Sequence, residues 1–386
     1  LSDDRAQAVR NNLIHYSGLF TDDPLLSEER TAYAIPPNTI KDLTRMDAMN
    51  AFFFWAAWAC VTERPGSELT YTSNWPPDPV LGNKPSAGIV LWTGFSVIML
   101  LVGIGLLAYY NARNRSDVLD KSLLPQDDPL GGLNPTPSMK AVLKYYWVVV
   151  GLMLLQILTG VVTAHYGVEG TGFYGLNLDS IMPYSISRTW HIQLALFWIA
   201  TSWLAAGLYI APAVSGHEPK FQKFGVNLLF FALLVIVLGS LAGEWMGVMQ
   251  KLGLVHNFWF GHQGYEYVDL GRFWQIFLFA GFIIWLFLMF RALMPALTKR
   301  SESRELLIMF SIATVAIAAF YGAGLMWGRQ THLSIAEYWR WWVVHLWVEG
   351  FFEVFATAVI AFFFTRLGLI QPGLAAKATL LSAAIY

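Results

Sequence analysis

The sequence predicts an all-α polytopic membrane protein with a small N-terminal domain that faces water. Of its 386 residues, 56% are hydrophobic and only 13% are charged, and the mean hydropathy is +0.47. These values exclude an ordinary soluble globular protein. Apolar runs of about twenty residues recur along the chain, and each is long enough to cross a bilayer as a helix. The net charge of −1 gives no indication of a nucleic-acid partner, and we expect none.

Residues 1–86 are the predicted water-facing domain, or the C-terminal part of one. They carry Asp, Glu, Arg, Pro and Asn throughout, with short helical patterns such as residues 46–62 and a Pro-rich stretch at 74–79. The chain begins at Leu1 and ends inside an apolar run that starts near Leu374. We therefore expect a fragment that is truncated at both ends.

Residues 87–386 are predicted to form the transmembrane domain, with about seven complete helices and a truncated one. The apolar segments lie at about 87–110, 141–164, 189–212, 225–247, 273–296, 305–327 and 339–364, with the last from 374. The loops 111–140, 213–224 and 297–304 are rich in Lys and Arg, so the positive-inside rule predicts that they are cytoplasmic. The other loops, and residues 1–86, are then predicted to lie on the outer side.

Three polar side chains recur in the last complete apolar segment: His345, Glu349 and Glu353. In an α-helix, spacings of i, i+4 and i+8 place them within roughly 80° of one face. An ionised group deep in a bilayer costs on the order of 2.5–3.5 kcal/mol, so three on one face need a common reason. They could form a polar stripe against neighbouring helices, or line a water path. They could also bind a metal, and imidazole with a carboxylate suits non-haem iron better than copper.

The motif His-Leu-Trp-Val-Glu-Gly-x-x-Glu at 345–353 resembles the catalytic helix of respiratory nitric oxide reductases, the iron-using branch of the haem-copper oxidase superfamily. The resemblance implies a haem-copper oxidase-like helix bundle. It also implies that His345 and Glu349 bind the non-haem iron, with Glu353 behind it as a charge and proton-handling residue. Residues 71–77, Tyr-Thr-Ser-Asn-Trp-Pro-Pro, resemble the quinol-dependent subfamily. In that subfamily a cytochrome c-like outer domain without haem c is fused to the catalytic chain.

His191 opens another apolar segment, within Ser-Arg-Thr-Trp-His-Ile-Gln at 187–193. In isolation it equally fits a histidine satisfied by a loop carbonyl. The resemblance implies an axial ligand of a low-spin haem b, which needs neutral imidazole on a rigid helix. His191 and His345 both lie near the predicted outer ends of their helices, at similar depth. The resemblance places the second ligand of this haem, the ligand of a high-spin haem b and two further iron ligands beyond Tyr386.

Further candidate sites lie in the predicted outer loops. Gly-Tyr-Glu-Tyr-Val-Asp at 264–269 reads in isolation as a solvated loop, but by resemblance Glu266 binds calcium, with Asp269 in support. Oxygen ligands suit that ion. His165 and Glu169 are either ordinary interfacial residues or candidates for binding quinol. The quinol-using subfamily has a His in a place comparable to His165, and Glu169 is the weaker candidate.

The function expected from these resemblances is quinol-dependent reduction of nitric oxide, 2 NO + 2 e⁻ + 2 H⁺ → N₂O + H₂O. The protein would lie in a bacterial inner membrane with its N-terminal domain in the periplasm. Its expected partners are quinol, nitric oxide and membrane lipids, with a homodimer as the assembly considered. The single cysteine, Cys60, excludes a Cys-x-x-Cys-His haem attachment in this chain.

Three alternatives remain open at this point. A reductase fed by cytochrome c is disfavoured because its catalytic chain lacks a fused outer domain. An oxygen reductase is disfavoured because many of those enzymes carry tyrosine where this chain has Glu349. A proton-coupled transporter would line its path with His and Glu, and an optical spectrum would separate it from a haem enzyme.

Overall fold

The computed structural model describes residues 3–32, 35–62, 65–66, 87–114, 134–169, 172–263, 270–301, 303–331 and 333–385. These residues are mainly helical, and they form two compact units, one of residues 1–31 and 35–123 and the other of 32–34 and 124–386. Seven helices in the described ranges are long and apolar enough to cross a membrane. The protein is therefore an all-α, multi-span membrane protein, as predicted.

The N-terminal unit pairs two helices, α1 and α3, through their side chains. Its elements are α1 (Asp3–Phe20), a 3₁₀ turn (Pro24–Leu26), α2 (Ser27–Ala32), α3 (Leu43–Val61) and α4 (Ala87–Asn114). The rings of Tyr16 and Phe53 stack with centroids 4.3 Å apart, and Asn50 Nδ2 donates to Ser17 Oγ at 3.0 Å, which joins α1 to α3. The Asp42 side chain accepts a hydrogen bond from the Arg45 amide and so caps α3.

The predicted boundary between residues 86 and 87 stays a prediction. Helix α4 corresponds to the first predicted span and extends to Asn114, and none of its most apolar window is buried. The motif at 71–77 lies outside the described residues. The division into compact units groups α4 with the N-terminal helices.

The second unit contains the remaining spans. Its elements are α5 (Pro137–Glu169), β1 (Gly172–Phe173), β2 (Leu176–Asn177), α6 (Tyr184–Ser215), α7 (Gln222–Val248), α8 (Leu254–Phe260), α9 (Arg272–Thr298), α10 (Arg304–Ala323), α11 (Leu333–Trp341), a π-helix (Trp342–Phe351), α12 (Phe352–Arg366) and α13 (Pro372–Ile385). Strands β1 and β2 are antiparallel. The six apolar segments predicted between 141 and 364 are all found as helices. α11, the π-helix and α12 together form the last of them.

Two differences from the prediction concern the helices that carry the candidate ligands. Helix α6 begins at Tyr184, after Pro183, and not at about 189. His191 is therefore the eighth residue of its helix and not in its first turn. The polar residues Ser187 and Thr189 are buried, so packing extends the helix beyond the apolar run from which the boundary was predicted. The second difference is the π-helix, because the sequence argument assumed α-helical spacing.

The core of this unit lies where α6 packs against α9. A Cβ at Gly207 would lie 2.5 Å from Met289 Sδ, so only glycine allows this close approach. Trp285 is fully buried, and its Nε1 donates to the Leu204 carbonyl at 3.2 Å. These contacts fix α6, which carries His191, against the centre of the bundle.

Candidate haem and iron site

His345 and Glu349 form a pair on the π-helix. His345 Nδ1 and Glu349 Oε2 lie 2.8 Å apart, and the two side chains are 57% and 54% exposed. A π-helix closes i→i+5 hydrogen bonds, is rare, and is frequently found at functional sites. The backbone here is therefore wider than the α-helix assumed from the sequence, yet it still brings the two predicted ligands into contact.

The buried face of the same segment explains why the pair points outward. Trp347 is 2% exposed, and its ring lies 5.0 Å from that of Tyr321 and 6.1 Å from that of Phe282. Gly350 is also buried, and the neighbouring ring of Phe351 stacks on Phe320 of α10. Because this face fills the core, His345 and Glu349 are held on the open face of the bundle.

The pair fits part of a metal site. Two ligand atoms at right angles around an ion with bonds of about 2.1 Å lie about 3 Å apart, close to the 2.8 Å between Nδ1 and Oε2. Imidazole nitrogen and carboxylate oxygen are the donors that non-haem iron accepts. The described part of the chain holds no group of three or more His, Cys, Asp or Glu side chains placed for a metal. It therefore supplies two donors here and no complete cage.

Glu353 lies apart from this pair. It is exposed in the first turn of α12, where the helix has returned to α geometry, and its side chain forms no hydrogen bond or ion pair with a described residue. The structure brings together two of the three residues in the predicted stripe, while Glu353 lies one turn further along the same span.

His191 is held in one tautomer by the neighbouring helix. Its Nδ1 lies 2.8 Å from the Gln156 carbonyl of α5. A carbonyl can only accept, so Nδ1 carries the proton and donates it. Nε2 is then the unprotonated nitrogen that an iron ligand requires. Metal-binding imidazoles commonly donate a hydrogen bond from the ring nitrogen that does not bind the metal. His191, the predicted haem ligand, makes such a bond through Nδ1.

Three residues of this setting were not predicted from the sequence. A Cβ at Gly160 would lie 2.7 Å from His191 Cε1 and 2.8 Å from its Nδ1, so the ring fits only against glycine. The side chain of Gln156 accepts a hydrogen bond from Trp198 Nε1 at 2.9 Å, which ties α5 to α6 further along the helix. The signal available in the sequence was a polar residue and a glycine one turn apart within an apolar run.

His191 and His345 lie toward the same end of the bundle. α6 and the last span run in the same direction, since the helices between them alternate through short connections. His191 lies seven residues after the start of its span at Tyr184, and His345 lies ten residues after the start of its span at Ile335. At 1.5 Å per residue, the two depths differ by roughly one helical turn.

His165 lies in the last turns of α5, against the β-hairpin. Its ring stacks on Tyr174 with centroids 4.5 Å apart and meets Phe173 edge-on at 4.9 Å. Tyr174 and Gly175 both have positive φ, as in the type I′ turn of a tight hairpin. The Tyr174 amide donates weakly to His165 Nε2, at 3.4 Å. Glu169 ends α5, and its side chain lies outside what the structure describes.

The predicted calcium residues, Glu266 and Asp269, also lie outside the described residues. The structure describes the base of their loop, where His262 pairs with Leu270 in an antiparallel bridge. Asn257 fixes His262 through its backbone: the Asn257 side chain donates to the His262 carbonyl and accepts from its amide. Burial lowers the pKa of His262 to about 4. The loop is therefore closed by a histidine that the fold holds neutral.

Comparisons with known proteins identify the family. Residues 140–386 match the model of cytochrome c and quinol oxidase polypeptide I, so the chain belongs to that family, the haem-copper oxidases. Residues 1–77 match the cytochrome c-like domain of the NorB polypeptide of nitric oxide reductase. These matches confirm the resemblance to the haem-copper oxidase superfamily, through residues 140–386, and to its nitric oxide reductases, through residues 1–77.

A curated relative agrees with both matches. The chain is 24% identical to the NorB polypeptide of the nitric oxide reductase of Stutzerimonas stutzeri over 227 residues. The match covers 58% of this chain and 45% of that protein. The region compared is thus about half the length of the relative.

Proposed function

We propose that the protein is a nitric oxide reductase that couples two molecules of NO to N₂O, and that quinol supplies its electrons. The observation that carries this proposal is the His345–Glu349 pair, with 2.8 Å between ligand atoms on a π-helix. A tyrosine in place of Glu349 would favour an oxygen reductase. Membership of the oxidase family, together with the similarity to the NorB polypeptide, favours an enzyme over a transporter.

Bound haem b would pass the electrons of the donor on to a metal centre, which haem and non-haem iron would supply. Toward them, His191 would present Nε2, with its Nδ1 proton held on the Gln156 carbonyl. His345 and Glu349 would hold the iron. Holding two NO molecules side by side replaces a bimolecular encounter by a positioned one. Glu353, exposed one turn beyond, would deliver protons without touching the metal.

The electron donor is the finer part of the proposal. The setting of His165 supports quinol, because an imidazole between two aromatic rings can contact a quinol ring and accept its proton. The fusion of an outer domain argues against the second candidate, a reductase that receives electrons from cytochrome c, whereas the cytochrome c-like character of residues 1–77 favours it. Periplasmic placement of that domain, a calcium ion at Glu266 and a homodimer belong to the same proposal.

The test uses the full-length protein purified with its cofactors under anaerobic conditions. NO consumption and N₂O formation are measured with a reduced quinone analogue and, separately, with reduced cytochrome c. Glu349→Gln should abolish N₂O formation. Glu337→Gln is the matched control, because Glu337 lies on the same span but pairs with Arg340.

The outcomes separate the two parts of the proposal. Turnover with the quinone analogue that falls in His165→Ala supports quinol as the donor. Turnover with reduced cytochrome c but not with the quinone analogue would refute quinol as the electron donor, while the proposed reduction of NO would still hold. An intact protein that forms no N₂O with either donor refutes the proposed activity.

A further inference from the structure

A group of lysines lies where α5 and α7 begin, at the end of the bundle that the charge bias predicts to be cytoplasmic. The two helices are joined there by Tyr145, whose hydroxyl donates to the Val226 carbonyl at 2.6 Å. Lys140 and Lys144 are one turn apart on α5, and Lys223 lies in the first turn of α7. We call Lys140, Lys144 and Lys223 the α5–α7 lysine cluster.

Lys144 is the inner member of this cluster. It is seven residues beyond Pro137, about 10 Å along the helix, and is only partly exposed. Its Nζ donates to Asn227 Oδ1 at 2.5 Å and lies 4.4 Å from the ring centroid of Phe230. One of its three donors is thus occupied by a neutral partner. Asn227 lies one turn after Lys223 on α7, so this hydrogen bond brings Lys144 to the side of α7 that carries Lys223.

No acidic side chain offsets this charge within the described structure. None of the three lysines forms an ion pair with a carboxylate of a described residue. Glu218 is the acid that precedes α7, and its carboxylate accepts from the Ser138 amide at 3.1 and 3.3 Å. Glu218 therefore caps the start of α5. Among the described residues, a lysine inside a membrane span and beside a second lysine therefore has no anionic partner, and charges at such depth are almost always paired.

The surface around the cluster, and from there toward the middle of the membrane, is apolar and exposed. Lys144 lies 5.6 Å from the ring of Phe231, which faces outward. The exposed large apolar side chains of α5 and α7 in this region are Leu143, Trp147, Phe224, Leu228 and Phe231. A ligand that spans both surfaces has an anionic head and a hydrocarbon tail.

We propose that the α5–α7 lysine cluster binds the phosphate of an anionic phospholipid, whose acyl chains lie along the apolar surface of α5 and α7. Basic pockets between membrane helices bind such head groups. Lys144 and Lys223 would contact the phosphate, and Lys140 would add charge at its outer edge. The apolar surface favours a lipid over inorganic phosphate, which would use the lysines alone. The proposal does not depend on the reaction that the protein catalyses.

The test measures lipid retention by the full-length protein, purified in detergent and analysed by native mass spectrometry. Phosphatidylglycerol and phosphatidylcholine with identical acyl chains are the two probes. Each lysine near an anionic lipid contributes about fivefold to binding. Lys144→Gln combined with Lys223→Gln should therefore weaken phosphatidylglycerol binding by roughly 25-fold.

The matched control removes the same charge at the same end of the bundle. Lys299→Gln with Arg300→Gln changes two exposed residues that follow α9, and it should leave binding within about twofold of the parent protein. Lys144→Arg should retain the lipid, which shows that charge is required and that loss of binding does not reflect misfolding. Excess inorganic phosphate should not displace the lipid.

Three results would overturn the proposal. One is equal retention of lipid by the cluster variant and the control variant. The second is retention of phosphatidylcholine as strong as that of phosphatidylglycerol. The third is displacement of the lipid by inorganic phosphate, which would assign the lysines to a free anion.

Discussion

Replacing Gly160 by alanine would push a methyl group into the His191 ring. The added carbon would lie 2.7 Å from Cε1 and 2.8 Å from Nδ1, whereas carbon atoms in good contact lie about 3.5 Å or more apart. The ring must therefore move by roughly 0.7 Å. Such a shift would stretch the 2.8 Å bond from Nδ1 to the Gln156 carbonyl beyond the usual range for a hydrogen bond.

The magnitude follows from two opposing effects. Alanine in a helix is favoured over glycine by about 1 kcal/mol, and losing one hydrogen bond costs about 0.5–1.5 kcal/mol. We therefore expect almost no net change in stability for Gly160→Ala. Gly151→Ala lies on the same helix, and its Cβ would have no atom within 4 Å. This control variant should be stabilised by most of the roughly 1 kcal/mol by which alanine is favoured over glycine in a helix. The difference in unfolding free energy between the two variants then isolates the contact with His191.

Haem binding gives a second and larger readout. Losing the partner of a metal-binding imidazole typically costs 10–100-fold in affinity. The imidazole also becomes less basic, so the oxidised haem is less stabilised and its midpoint potential should rise. The assay is a spectroelectrochemical titration of low-spin haem in full-length protein, with haem content measured beside it. The control Gly151→Ala should keep the haem content and midpoint potential of the parent protein. If Gly160→Ala kept them as well, His191 would not be the haem ligand.

Three further predictions concern the other sites. Glu349→Ala should lose non-haem iron, measured by metal analysis, while Glu353→Ala should keep most of the iron but slow NO consumption, because it lies beyond the ligand pair. Glu266→Ala should lower calcium content without changing non-haem iron. The pKa of His262 is lowered to about 4 from an ordinary 6.5. The contribution of the neutral, buried His262 to the stability of the closed loop should therefore be complete above pH 6.5. That stability should be lost as the pH falls toward 4, since the open state binds the proton more readily.

Each of these predictions has a contrary outcome. Full iron and parental activity in Glu349→Ala would remove the π-helix from the catalytic site. Unchanged calcium in Glu266→Ala would return that residue to a solvated loop. For His262, hydrogen exchange of residues 254–263, corrected for its intrinsic pH dependence, should accelerate between pH 6.5 and 4 in the parent. It should not accelerate in His262→Gln, and acceleration in both proteins would refute the assignment.

The membrane helices could be read from the sequence because a bilayer imposes a simple length requirement on apolar segments. Their ends could not, as α6 shows: it begins at Tyr184 because polar residues ahead of the apolar run pack into the bundle. Residues 345–353 likewise indicated the family, and the match of residues 140–386 to the oxidase family bears this out. The roles of all the candidate site residues stay predictions: His165, Glu169, His191, Glu266, His345, Glu349 and Glu353.

By itself, the sequence determined the positions of the seven spans found among the described residues, the family, and a His–Glu pair spaced to meet on one helix. Only the tertiary structure showed the π geometry of that helix and which of its faces is buried, because Trp347 is covered by contacts with α9 and α10. Only the tertiary structure brought Gln156 and Gly160 to His191 and Lys144 to Asn227. These partners lie on different helices, so no local spacing in the sequence records them. Hydrogen bonds and close contacts between helices form only once the helices have packed.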